Sequence, residues 1–216
     1  LELSSFQIDL TQSLDCDVAV LLNITPDHLD RYESFEAYSM AKARLFQMQS
    51  EVSVAIRPDD RVCAEDPFDF WGPFESDGFT PRNLDRVSIQ SEWPSLQGPH
   101  NAENAMAALD VCRVLGVDEL VISTGLKSYP GLPHRMERVG EKDGVLFVND
   151  SKATNPEAAA PALAAYPRIR WIVGGQAKTK GLGDTERHLD HVVRAYTIGE
   201  AGPMFARLLQ ERGVAV

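Results

Sequence analysis

The stretch FVNDSKATNP, Phe147 to Pro156, ends an apolar run and then sets Asn149, Asp150, Ser151, Lys152, Thr154 and Asn155 close together. Amides, hydroxyls, one carboxylate and one ammonium just ahead of a helix begun by Pro156 could hold an anion, because a helix start offers unpaired N–H groups. The same residue types also build turns and helix caps, so an ordinary capped turn accounts for them equally well.

Other stretches carry chemistry of similar ambiguity. TPDHLDRY places His28 between Asp27 and Asp30, a possible metal ligand or a satisfied loop histidine, with Lys42 on the next helical pattern. In ELSSFQ, Glu2 could be a hard-metal ligand, and Ser4, Ser5 and Gln7 could hold a substrate or serve as loop polar groups. HNAEN sets Asn101 and Asn104 three apart on one face of a helix start, where each could read a nucleobase edge or, for Asn101, cap the helix. GGQAKTKGLG could cradle phosphate with Lys178 and Lys180 supplying charge, although it does not fit the GxGxxG dinucleotide pattern.

The elements that must position these residues follow from the apolar pattern. Asp17 to Thr25 is a nearly continuous apolar run that reads as a strand buried on both faces. Phe35, Tyr38, Ala41, Leu45 and Met48 recur at helical spacing behind a Ser34 cap, and VSVAI reads as a strand. Residues 57 to 98 show no clear period. GPHNAENAMAALDVCRVLGV predicts a helix ended by Gly116, and VDELVISTGLKSY a shorter one. YPGLPHR, with two prolines and a glycine, is the best linker candidate. Beyond it MERVG, GVLFVND, a helix from Pro156, IRWIVGG, a helix from Thr185, AYTIG and a helix from Gly202 alternate, which predicts a mostly parallel sheet with ligands at the strand ends.

Composition narrows the class. A chain of 216 residues, 44% hydrophobic and 25% charged, is an ordinary globular protein of one large or two modest domains, and no apolar run approaches the length of a membrane span. The net charge of -11 opposes a nucleic-acid partner, which needs a positive face. Cys16, Cys63 and Cys112 are too scattered for a disulfide framework or a zinc site and predict a reducing, cytoplasmic setting. LELSSFQIDL begins without Met and without a signal peptide's features, so the sequence reads as an internal piece of something longer.

Taken in order, ELSSFQ, NITPDHLDRY, AYSMAKARLF, GPHNAEN, GLPHRMERV, NDSKATNP and GGQAK resemble the Mur ligases, closely from Leu1 to Lys178 and more loosely beyond. ELSSFQ and GLPHR with NDSKATN are the selective strings and suit the members that add D-glutamate. DHLD and the lysine helix are shared with the wider superfamily, folylpolyglutamate synthase included. The resemblance implies an α/β fold: part of a central ATPase domain over 1–133, with a mixed or parallel sheet and flanking helices, then a truncated Rossmann-like domain over 134–216. The family's N-terminal domain and its GxxxxGK[ST] loop are not among these residues, so the segment alone is expected to be inactive.

The resemblance also implies a reaction: ATP converts the carboxylate of UDP-N-acetylmuramoyl-L-alanine to an acyl phosphate, which the amine of D-glutamate attacks. By similarity, Glu2 and His28 would bind two magnesium ions, and Lys42 would be carbamylated to become an anionic ligand of the second. Asn101 and Asn104 would face adenine, Asp150 the ribose, and Arg135 and Lys152 the phosphates. Ser4, Gln7 and His28 would meet the UDP-muramoyl substrate, and Thr154 and Lys178 the D-glutamate. On this reading Lys42, His28 and Lys152 carry the chemistry in a cytoplasmic monomer with no nucleic-acid partner and no membrane insertion. The alternatives are another Mur ligase, folylpolyglutamate synthase, or, for the segment by itself, a non-catalytic nucleotide-binding module.

Overall fold

An apolar run becomes a strand only where a neighbour pairs with it. In the computed structural model, which describes residues 1–24, 31–50, 54–56 (as backbone), 90–177 and 179–216, β1 is Val18–Val20. It pairs in parallel with β2, Val54–Ile56, from Val18 against Val54 to Val20 against Ile56. This corrects the longer strand expected over Asp17 to Thr25: the described ladder ends at Val20, and Ala19 alone of the three is buried. His28, Lys178 and the patternless stretch through residue 89 lie outside the described residues.

The chain divides into two units, Leu1–Leu84 with Glu103–Ser123, and Asp85–Ala102 with Thr124–Val216. In the first, α1 (Ser5–Leu10) packs on α2 (Phe35–Gln47), whose Ser34 cap accepts the Ala37 N–H at 3.2 Å as the sequence predicts. Asp9 ties the two helices: its carboxylate receives the Tyr32 hydroxyl at 2.7 Å and its backbone carbonyl the Arg44 guanidinium at 3.1 Å. Arg31 lies over the Phe6 ring at 4.2 Å while also reaching Asp9. Tyr38, Ala41, Ala43 and Phe46 turn the buried face of α2 inward.

Helix α3 (Pro99–Val114) begins in the second unit and continues into the first, and α4 is Glu119–Ser128. Gly116, at φ +74, ends α3 with the Val117 N–H on the Cys112 carbonyl and its own N–H on that of Arg113, the paired bonds of a Schellman cap.

In the second unit β3 (Glu137–Lys142) and β4 (Val145–Asn149) pair antiparallel, beside the parallel pairing expected for most of the strands. Asp143 and Gly144, both at positive φ, make the two-residue turn that folds a chain straight back, and the Asp-Gly pair is a signal the sequence carried. Helix α5 (Pro156–Ala164) starts as predicted, with Pro156 in its first turn and Asn155 accepting the Ala158 N–H at 2.8 Å. Strands β5 (Ile169–Gly174) and β6 (Val192–Ile198) are parallel, and α6 (Gly202–Glu211) packs on both.

The helix expected from Thr185 is instead a 3₁₀ segment over Gly183–His191, kinked at His188. Thr185 bonds the Leu182 carbonyl with both its N–H and its hydroxyl, and this local i to i−3 pairing competes with an α-helical turn. Leu163, Leu182, Val192, Ala195, Leu209 and Val214 form the core of this unit, edged by Trp171, Val173 and Phe205. After α6 the chain returns along β6, where the Ala195 N–H meets the Ala215 carbonyl at 2.8 Å.

Candidate functional site

The two segments that the sequence singles out on either side of the hairpin, GLPHRMER and NDSKATN, are bound to each other in the second unit. Leu132 and Arg135 form an isolated bridge, so the chain makes a tight loop before β3 starts. Inside that loop His134 and Met136 hold φ values of +64 and +47, conformations that side chains other than glycine seldom adopt. Four bonds join the loop to the end of β4. The Lys152 N–H donates to the His134 carbonyl at 3.1 Å, and the Met136 N–H to the Asp150 carboxylate at 2.9 Å. The Asn149 amide lies 2.8 Å from the His134 ring nitrogen and 3.3 Å from the Glu137 carboxylate.

Arg135, Asp150 and Lys152 are thereby carried on one small backbone knot. Burial pushes the Asp150 carboxyl above its ordinary value, while the Met136 N–H, His100 and Arg135 oppose that rise. His100, at the start of α3, is the other half of this pairing. Burial lowers its affinity for a proton and Asp150 partly restores it. Its Nδ1 is buried with no hydrogen-bond partner among the described residues, and a side chain at Gly98 would come within 3.2 Å of it. Asn101 follows directly; it stands inside the helix, which starts at Pro99, and donates from its amide to the Gln97 carbonyl at 3.0 Å, one turn back.

In the first unit Ser4 and Gln7 form a reciprocal capping box. The Ser4 hydroxyl accepts the Gln7 N–H at 3.3 Å, and the Gln7 side-chain oxygen accepts the Ser4 N–H at 2.8 Å. A substrate contact by the Ser4 hydroxyl or the Gln7 side-chain oxygen would share that atom with the cap, whereas the Gln7 NH₂ is not used by it. Glu2 stands exposed just before α1. The Lys42 ammonium lies 5.2 Å over the ring of Tyr38, one helical turn earlier. Asn104 lies in this unit too, two turns or so into α3 from Gly98. Thr154 sits in the turn between Lys152 and the Asn155 cap of α5.

Among the described residues no three His, Cys, Asp or Glu side chains gather as a metal site. A cavity lined by Ser91, Pro94, Gln97, Arg138, Leu146 and Tyr166 contains none of the candidates. Sequence reasoning passed over His100, His134 and Glu137, although His134 lies in the stretch already marked as a linker and Glu137 in the MERVG segment just beyond it. The Ser-x-x-Gln spacing of ELSSFQ was itself a capping-box signal.

Helices and strands in mixed parallel and antiparallel pairs, with basic and acidic groups gathered at a strand's end, define an α/β protein with a polar cluster suited to a charged ligand. Two family models match it, the Mur ligase middle domain over residues 1–68 and the Mur ligase glutamate ligase domain over residues 134–214. The chain belongs to the Mur ligase family. It is 51% identical to a UDP-N-acetylmuramoylalanine–D-glutamate ligase of Zymomonas mobilis, a match covering 100% of this chain and 48% of that protein. A protein of the same name from Novosphingobium aromaticivorans is 53% identical over 97% of this chain and 48% of its own length. The chain thus spans about half the length of the curated relatives it matches. Among solved structures, the MurC UDP-N-acetylmuramate-alanine ligase of Thermotoga maritima has the same fold, with a TM-score of 0.65 at 15% identity over 98% of this chain and 52% of that one.

Proposed function

We propose that this chain is the middle and C-terminal part of an ATP-dependent ligase that joins D-glutamate to UDP-N-acetylmuramoyl-L-alanine in peptidoglycan precursor synthesis. The observation that carries the reading is identity above 50% to two proteins bearing that name, across nearly the whole of this chain. The geometry supports it at the β4 end, where Arg135 and Lys152 stand on one knot beside a half-buried carboxylate. Phosphoryl transfer needs fixed cations of this kind, because its cost lies in gathering negative charge on phosphate oxygens.

In this reading Arg135 and Lys152 hold the phosphates, Asp150 the ribose, and Asn101 and Asn104 the adenine. Lys178 and Thr154 hold the D-glutamate carboxylate, for which an ammonium and a hydroxyl are suitable donors. Ser4, Gln7 and His28 face the UDP-muramoyl substrate. The second domain begins at residue 134, and the protein works as a cytoplasmic monomer. No helix among the described residues is long and apolar enough to cross a membrane.

ATP and magnesium use is the expectation for the family. The donor chemistry of Glu2, one exposed hard-oxygen ligand, fits magnesium. Lys42 fits only as a carbamate, since an ammonium repels a cation; His28 completes the set in this reading. Bound there, magnesium would neutralise developing phosphate charge.

The protein's residues bring the alanyl carboxylate oxygen to the γ-phosphorus, whose bond to the β-phosphate oxygen breaks to release ADP, and the amine then displaces phosphate from the acyl carbon and gives up a proton. The oxygen that leaves with phosphate therefore comes from the carboxylate. With the intact protein and a heavy-oxygen label in that carboxylate, released phosphate should carry the label. Unlabelled phosphate accompanying amide formation would refute the acyl-phosphate route.

A further inference from the structure

We propose that Asn149, His134 and Glu137 form a positioning latch that sets Arg135 and Lys152 at the spacing the reaction uses. This rests on the reading that Arg135 and Lys152 meet the ATP phosphates. Asn149 commits both ends of its amide. Its oxygen accepts the Ser151 N–H at 3.1 Å, which fixes the amide's orientation and turns its NH₂ toward the His134 Nδ1 and the Glu137 carboxylate. The His134 Nδ1 must then accept, leaving the ring proton on Nε2.

Glu137 in turn receives the His134 N–H at 2.8 Å, and the His134 carbonyl receives the Lys152 N–H. Every polar group of His134 that faces the protein is therefore engaged. A residue other than glycine in the left-handed region persists only where its surroundings over-determine it, and that is the situation here. Arg135 follows His134 directly, and Lys152 is bonded to it, so the latch fixes both cations through backbone. The residues at its corners, Glu137 and Asn149, face each other as the first matched pair of the hairpin ladder. The hairpin thus delivers its rigidity to the loop that carries the cations.

The test uses the intact protein and steady-state kinetics. His134→Gly keeps the positive φ without strain but removes the ring, whereas His134→Asn tolerates that φ and keeps a side-chain acceptor. His134→Gly should raise the KM for ATP by about tenfold, the scale of one lost hydrogen bond in a charged site, with the melting temperature near the parent's. His134→Asn should recover most of that loss, which a merely structural role of the ring would not require. Asn149→Ala, cutting the same bonds from the other side, should repeat the ATP effect.

Arg135→Ala and Lys152→Ala separate the two levels of the argument. If neither raises the KM for ATP, the phosphate assignment is wrong. If they do, while folded His134→Gly or folded Asn149→Ala matches the parent, the latch is overturned.

Discussion

His100 and Asp150 are the pair of ionisable groups whose burial most directly shapes behaviour with pH. Burial holds the folded His100 below its ordinary value of 6.5, so at mildly acidic pH the unfolded chain takes up a proton that the folded one refuses. Its contribution to stability is complete above that value and is lost as pH falls through the folded one. Asp150 works in the opposite sense at lower pH: raised from 3.8, it keeps its proton longer when folded, so its burial costs stability once it ionises. His100→Gln should therefore flatten the loss of unfolding free energy as pH falls below 6.5, measured by urea titration, relative to the parent. An unchanged slope would mean that His100 is as solvated as a free histidine. At this scale the sequence offered candidate residues by type and spacing but not what they touch. Asp150 and Lys152 were legible as candidate chemistry, whereas the interaction of His100 with Asp150 joins residues far apart in the chain, which no local pattern encodes.

At the scale of elements, the helices and their caps were the most legible features. Ser34, Asn155 and Gly116 act where their side chains or conformational freedom predict, because capping is decided within a few residues. Pairing is decided elsewhere in the chain, which is why β1 came out shorter than its apolar run and why the partner of each strand was not legible. The parallel pair β5 and β6 ends in a tight crossing. Gly174, at φ +149, lies so close to Ile198 that an added Cβ would fall 1.9 Å from the Ile198 carbonyl oxygen, and the Gly175 N–H bonds that same oxygen at 3.0 Å. Neither the backbone conformation nor the space admits a side chain. Gly174→Ala should cost about 2 kcal/mol or more, read as a lower melting temperature. A melting temperature equal to the parent's would show that the two strand ends separate readily.

At the scale of the molecule, the two units follow packing, while the two family matches follow sequence, and the borders differ. The match to the glutamate ligase domain begins at residue 134, yet residues 90–102 and 124–133 fall in the same unit as the strands that come after it. Helix α3 crosses from one unit to the other within its first turns, which no sequence boundary could have marked. Family membership was legible from short ordered strings because their wording and order together, rather than any single residue, are selective. The choice among the family's amino-acid substrates rests on the whole-chain likeness. It is tested most directly by phosphate release from ATP by the intact protein, with UDP-N-acetylmuramoyl-L-alanine held constant and the amino acid varied among D-glutamate, L-glutamate, L-alanine and L-lysine. Phosphate release and amide formation should both depend on D-glutamate, with the other three at least about a hundredfold poorer in kcat/KM, as expected where a site's buried polar groups would be left unpaired. Turnover with L-alanine or L-lysine in preference to D-glutamate would contradict the account.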